Sequence, residues 1–576
     1  MKKLMLGNEA VARGAFEAGV KVFASYPGTP STEITEFAAK YDEMYAEWAP
    51  NEKVALEVAI GSSIEGARSV SCMKHVGLNV AADPLYTVSY TGVNGGLVIC
   101  VADDPGMHSS QNEQDSRHHA MASKTVMLEP ADSAECKEFT KRAFELSEKY
   151  DTPVILRLTT RVAHSQSMVE LCDRVEVANK EYKKDAMKYV MMPAMAKARH
   201  TFVEDRINKL IELAETDEFN KIEYADKSIG IITSGISYQY AKEAMPNASY
   251  LKLGMVYPLP VEKIKEFAKN VDKLYVVEEL DPIFETHIKA LGVEVIGKEV
   301  LPICGELSAD IVAQKVGGMA PKEFVCADEA ISGRPPVLCA GCPHRGMHYV
   351  LKKLGLRVSG DIGCYTLGAL APLQSIDACV CMGASVSMAH GMEMAGGRDV
   401  AGKTVAIIGD STFMHSGMTG LVDIVYNKGT STVIILDNSI TGMTGHQDNP
   451  TTGKTLKGEA TRQVDLVALC KALGVERVTV ADPFDVDNFE KVVKTEISAD
   501  EPSVIIAQRP CALLKTVKYT GKIKINEDKC KKCKMCMKIG CPALSFKDGV
   551  IVDTTQCNGC GLCMNVCKFG AMEKEE

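Results

Sequence analysis

Two stretches decide the architecture: Lys403-Thr404-Val405-Ala406-Ile407-Ile408-Gly409-Asp410-Ser411 and, further on, Thr432-Val433-Ile434-Ile435-Leu436-Asp437-Asn438-Ser439-Ile440. Each is an apolar, β-branched run that stops at turn-forming residues, the pattern of a strand buried on both faces. Between them lie a helical stretch, Gly417 to Tyr426, and a turn at Lys428-Gly429. A right-handed strand–helix–strand crossover makes the two strands parallel and puts Asp410 and Asn438 at their carboxyl ends. Ligands of open α/β sheets bind there. One carboxylate and one amide oxygen, with room left for phosphate oxygens, suit Mg²⁺. Taken alone, the pair is also compatible with an ordinary α/β turn.

The same alternation extends outward. Lys21 to Tyr26, Gly96 to Ala102 and Pro153 to Leu158 read as strands, and Val54 to Arg68 as a buried helix of small apolar residues. Ser228 to Ile232 and Lys273 to Val277 repeat the strand signal, and residues 175–225 turn Lys-, Glu- and Met-rich, as in a helix pair. Ala327 to Pro336, with Gly333 and Pro335-Pro336, reads as a boundary. The expected fold class is α/β: several doubly wound domains with parallel sheets, followed by a small cysteine-rich module. The boundaries fall at 1–190, 191–225 (a helical linker), 226–330, 331–517 and 518–576.

Composition narrows the function. The 576 residues carry 65 Lys+Arg against 75 Asp+Glu, a formal charge of −10. A mildly acidic chain without a basic block argues against nucleic acid or an anionic membrane as partner. No apolar signal core follows Met1-Lys2-Lys3, and the longest uncharged run, Leu85 to Ala102, is too polar and glycine-rich to span a bilayer. Of 21 Cys, eight lie between Cys530 and Cys567. A chain this long builds its own cores, so these read as reduced thiols and metal ligands of a cytoplasmic protein rather than disulfides.

Cys530-x2-Cys533-x2-Cys536-x4-Cys541-Pro542 precedes Cys557-x2-Cys560-x2-Cys563-x3-Cys567. Two-residue gaps let successive thiolates converge on one cubane, with a fourth ligand from elsewhere. Paired zinc sites are the alternative, although zinc ligands more often come as two separated pairs. The module resembles the bacterial two-[4Fe–4S] ferredoxins, in which the fourth Cys of each run serves the other cluster. That resemblance implies Cys530, Cys533, Cys536 and Cys567 for one cluster, and Cys557, Cys560, Cys563 and Cys541 for the second. The four-residue gap before Cys541 and the Lys568 that follows Cys567 depart from the ferredoxin pattern.

Gly409-Asp410-Ser411 with Asn438 resembles the thiamine diphosphate motif, with Ser411 in place of the usual last Gly. The resemblance implies Mg²⁺ on Asp410, Asn438 and the Ile440 carbonyl. Thr441-Gly442-Met443-Thr444-Gly445-His446-Gln447, Leu338-Cys339-Ala340-Gly341-Cys342-Pro343-His344-Arg345 and Gly360-Asp361-Ile362-Gly363-Cys364 are similar to segments of the 2-oxoacid:ferredoxin oxidoreductases. Cys342, His344, Gly363 and Cys364 are accordingly expected at the coenzyme, with Cys339 and Cys342 in a tight turn rather than on a metal. Thiamine diphosphate needs a carboxyl group at N1′ of its pyrimidine, set in an apolar pocket. Glu52, at the start of a small-residue helix, fits that role, with Glu57 as competitor. Tyr26-Pro27-Gly28-Thr29-Pro30-Ser31 resembles the family's substrate segment, which implies Thr29 as a contact to the oxoacid. Arg117, at the end of a polar stretch, is a candidate cation for its carboxylate, with a solvated loop as the alternative.

Over its whole length the chain resembles the α subunits of the indolepyruvate branch of this family. The resemblance implies a pyrimidine-binding domain (1–190), a transketolase-C-like domain (226–330) and a diphosphate-binding domain (331–517). It implies an aryl-2-oxoacid, coenzyme A and oxidised ferredoxin converted to aryl-acetyl-CoA, CO₂ and reduced ferredoxin. A smaller β subunit is the expected partner, in an (αβ)₂ assembly. Two rivals remain: a non-oxidative 2-oxoacid decarboxylase or ligase with structural clusters, and an electron-transfer subunit with a vestigial coenzyme site.

Overall fold

The computed structural model describes residues 1–321 and 335–575, in two compact units, 1–327 and 328–576. Most of the boundary expected at Ala327 to Pro336 lies outside the described residues. Among the described residues, no helix is long and apolar enough to cross a membrane, and all 20 cysteines are free thiols.

In the first unit the strands Val126–Leu128, Val154–Thr159, Leu97–Asp103, Ser69–Lys74, Val22–Ser25 and Tyr45–Trp48 pair side by side in that order, all parallel. The central ones are buried on both faces, which explains their unbroken apolar runs. A second sheet holds Lys273–Val277, Asp226–Ser234 and Ala248–Leu253 in parallel, with Asn220–Glu223 antiparallel at its edge.

The division at 190 and 226 needs correcting. Met255–Tyr257, from the segment expected to stand alone, adds antiparallel to the edge of the first sheet at Val126–Leu128. Leu56, Ile99 and Ile155 share one apolar core with Ile232, Leu251 and Phe284. The linker does form two helices, Ala186–Tyr189 and Pro193–Thr216, but its end, Asn220–Glu223, belongs to the second sheet.

A buried charge network joins the two sheets. Arg157 pairs with Asp103 and Glu129, both at 2.7 Å, and Arg117 pairs with Asp115 and Glu278, both at 2.6 Å. Glu278 also accepts the backbone N–H groups of Phe284 and Glu285. Seven buried charges survive there because each is paired or hydrogen-bonded; removing one would leave its partner uncompensated. The seventh is Glu279, which accepts the Leu307 N–H.

The second unit is built on a five-stranded parallel sheet in the order Arg357–Ser359, Thr404–Gly409, Thr432–Asp437, Ser503–Gln508, Arg477–Ala481. The cysteine-rich tail contributes two short antiparallel pairs, Ile523–Ile525 with Met572–Lys574 and Leu544–Lys547 with Gly549–Val552. It is not a separate module. Ile523, Ile539, Leu544, Leu562 and Val566 pack into the core that holds Met347, Val350, Ile434 and Phe484. Arg345 donates to the Ile539 carbonyl and also to that of Gly540, and Asn558 and Asn565 donate to the Ala340 and Phe484 carbonyls at 3.0 and 2.7 Å.

Burial lifts the Glu279 carboxyl from its ordinary 4.5 to about 7, with Glu306 and Glu129 adding repulsion. Between those values the unfolded chain has lost this proton and the folded chain keeps it, so stability falls as pH rises through that window. Glu279→Gln removes the penalty. Urea denaturation should show the variant gaining about 1–3 kcal/mol on the wild type between pH 5 and pH 8. An identical pH dependence in both proteins would contradict it.

Candidate coenzyme and iron–sulfur sites

In the second unit, Gly409 lies opposite Leu436 in the parallel register, so Asp410 and Asn438 leave adjacent strand ends. Asp410 is 2% exposed; its carboxylate accepts the Ser411 N–H at 2.6 Å and the Thr451 hydroxyl at 3.4 Å. Burial, then the charge of Asp437, pushes its carboxyl up to about 7. This is a carboxylate set among anionic and neutral groups, the environment a divalent cation would reverse. Asn438 Oδ1 accepts the Ile440 N–H at 3.3 Å, and the turn between them runs through Ser439 at φ 58°. The donors at these strand ends, a carboxylate and an amide oxygen, are hard and fit Mg²⁺.

The expected neighbours converge on these loops. Asn438 Nδ2 sits 3.5 Å from Nε2 of His344, a buried imidazole held neutral by desolvation, with its pKa lowered to about 4. The Tyr365 ring lies edge-on to His344 and fills the space beside Gly363 and Gly409, where a Cβ would meet it at 2.4 and 3.0 Å. Cys364 Sγ is 3.5 Å from where a Gly442 Cβ would stand. Cys342 is buried and its thiol is pushed up to about 12, again chiefly by desolvation.

One grouping was missed in the sequence. Cys339, Cys342, Cys364 and Cys511 lie near enough to disfavour one another's ionisation, and Cys511 N–H donates to the Asn438 carbonyl at 2.9 Å. Spacing could not show it, because Cys364 and Cys511 are supplied singly by distant segments.

The tail cysteines sort into two neighbourhoods. The Cys536 thiol is raised to about 11 by burial and then by Cys567, Cys533 and Cys530. Cys563 is raised to about 12 by burial, then by Cys560, Cys541 and Cys557 more than by Cys536. Cys541 feels Cys560 and Cys557. The fourth cysteine of each run thus sits with the other run's first three. Cys541, Cys557, Cys560 and Cys563 also line a cavity with Ile523, Ile539 and Leu562. No group of three or more His, Cys, Asp or Glu among the described residues is arranged to hold a single metal ion; a cubane is held by thiolates set further apart.

In the first unit, Asn51 caps the helix Glu52–Ile64 by accepting the Val54 N–H at 2.9 Å. Glu52, its first residue, is 4% exposed. Gly77 makes room for its side chain: a Cβ there would stand 2.7 Å from Glu52 Oε1. Glu57 is exposed and paired with Lys53, as a solvated helix residue would be. Thr29 is half-buried, its carbonyl accepting the Ser109 hydroxyl at 3.3 Å. Ser31 occupies the N-cap position of Thr32–Ala38, but its hydroxyl turns back to the Gly28 carbonyl instead of capping.

Arg117 is a correction. It is 1% exposed, and its guanidinium is committed to Asp115, Glu278 and the carbonyls of Glu279 and Asp281. It is a strut of the charge network, not a contact for substrate.

Comparison with known proteins follows the same lines. The chain is 39% identical to the indolepyruvate oxidoreductase subunit IorA of Pyrococcus horikoshii, over 100% of this chain and 97% of that one. It is 40% identical to IorA of Archaeoglobus fulgidus over 99% and 97%. The chain belongs to the IorA family. It is therefore an oxidoreductase subunit. Family descriptors match at 13–229 (pyruvate flavodoxin/ferredoxin oxidoreductase, thiamine diphosphate-binding), 361–507 (thiamine pyrophosphate enzyme, C-terminal TPP-binding domain) and 550–573 (4Fe–4S binding domain). The last spans the second cysteine run alone. A solved 2-oxoglutarate:ferredoxin oxidoreductase from Magnetococcus marinus aligns at 18% identity and TM-score 0.46, over 55% of this chain and 65% of that one.

Gly77→Ala tests the Glu52 pocket. The added methyl must displace the carboxyl, and a shift of that size should lower kcat by about 10²-fold. The melting temperature should change little. Wild-type kcat in the variant would show that Glu52 is not positioned by Gly77.

Proposed function

We propose that this chain, with a smaller partner subunit, oxidatively decarboxylates an aryl-2-oxoacid of the indolepyruvate type. Coenzyme A takes the acyl group and ferredoxin takes the electrons through two [4Fe–4S] clusters. The observation that carries this reading is a shared core: Leu436 and Tyr365, beside the Asp410–Asn438 loops, pack in one cluster with Cys536, Cys557 and Cys563. Carbon chemistry and one-electron carriers would then be fixed to one rigid body, as single-electron withdrawal requires. The names of the 39–40% identical relatives favour indolepyruvate. The free thiols fit a reducing, cytoplasmic setting.

In this reading Asp410, Asn438 and the Ile440 carbonyl are the groups that would hold Mg²⁺. Bound thiamine diphosphate supplies the electron sink for loss of CO₂. Glu52, first residue of the helix capped by Asn51 and seated against Gly77, would hold at its carboxyl oxygen a proton for the coenzyme. Buried, neutral His344 orients the Asn438 amide. Cys530, Cys533, Cys536 and Cys567 would hold one cluster, and Cys541, Cys557, Cys560 and Cys563 the other.

The test is an anaerobic panel of 2-oxoacids on the co-expressed complex, read by viologen reduction. Arylpyruvates should reduce the dye in a coenzyme A-dependent way, ahead of pyruvate and 2-oxoglutarate. Glu52→Gln should keep coenzyme binding and lose at least about 10²-fold in kcat. CO₂ release without dye reduction would favour the non-oxidative rival; no coenzyme binding would favour the vestigial-site rival.

A further inference from the structure

We propose that Lys74 is the cation that receives the carboxylate of the 2-oxoacid, beside Glu52 and Thr29. The inference rests on the oxoacid chemistry proposed for the chain and names the group that recognises its substrate.

Lys74 ends the strand Ser69–Lys74 and is 8% exposed. Its stem lies along Gly28, where a Cβ would stand 3.2 Å from the lysine Cγ. The ammonium carries three donors, and one is spent on the Ser109 carbonyl at 3.0 Å. Among the described residues no carboxylate closes an ion pair on it. Burial draws its pKa down to about 8 against the attraction of Asp104 and Glu52. A buried ammonium with donors to spare is costly unless an anion completes it.

Position gives that anion an identity. Ser109, which accepts from Lys74, also turns its hydroxyl to the Thr29 carbonyl. Asp104 fixes this loop by accepting the Ser109 N–H at 2.9 Å and the Ser110 hydroxyl at 2.7 Å. Lys74 is thus tied through Ser109 to Thr29, and Glu52 is close enough to act on its charge. The other cations nearby are already engaged: Arg117 pairs with Asp115 and Glu278, Arg157 with Asp103 and Glu129, and burial lowers the pKa of His75, which lies on the Asn112 carbonyl.

The experiment uses the coenzyme-loaded complex with its partner subunit, indolepyruvate as substrate and its methyl ester as competitive inhibitor. Lys74→Met should raise KM for the acid about 30-fold, or about 2 kcal/mol. It should leave the ester's inhibition constant and the calorimetric affinity for thiamine diphosphate unchanged. Lys74→Arg should keep most of the preference for the acid. An unchanged KM in Lys74→Met, or acid and ester weakening together, overturns the assignment. A wild-type complex that turns over no 2-oxoacid refutes the proposed function instead. A structure of the wild-type complex with indolepyruvate needs no substitution: its carboxylate should lie within hydrogen-bond distance of Lys74 Nζ, and a carboxylate seated elsewhere overturns the inference.

Discussion

A carboxylate buried where parallel strands end, with another carboxylate for a neighbour, is unstable by itself, and Asp410 is in that position. The fold has placed a negative group where only a cation makes it comfortable. Much of the second unit follows from holding that arrangement. Parallel pairing aligns Gly409 with Leu436, and the Ser439 turn brings the Ile440 N–H back to Asn438. His344 and Tyr365 wall the loops off from water.

The first unit solves the opposite problem. It buries many charges and satisfies them internally, through Arg117 and Arg157 and five carboxylates. Such networks add little net stability but penalise every alternative packing that separates their members. Here they reinforce the apolar core and the Lys252–Glu135 and Arg142–Asp217 pairs that also join the two sheets and their helices. Against that background, Lys74 stands out as a buried ammonium whose stem lies along Gly28.

The parallel strands, the Asp410–Asn438 pair and the helix opened by Glu52 were legible in the sequence, because buried strands and capped helices leave strong local signals. The eightfold cysteine spacing was legible for the same reason. Arg117 was misread because sequence shows that a cation is present but not what already surrounds it; Asp115 is near in sequence, while Glu278 comes from another sheet. Lys74 was read only within the Lys74-to-Asn79 stretch that resembles the indolepyruvate branch, because sequence alone does not show what its ammonium faces. The domain division failed at Met255–Tyr257 because three residues of strand look alike whichever sheet receives them.

The tail's apolar residues complete the sheet unit's interior, and Arg345, Asn558 and Asn565 stitch the two together through backbone carbonyls. Trimming the polypeptide before residue 520 would therefore uncover a greasy wound on the remaining protein. Redox wiring and catalytic scaffold must then be inherited as one piece: a borrowed ferredoxin could be grafted here only by redesigning the surface that greets it.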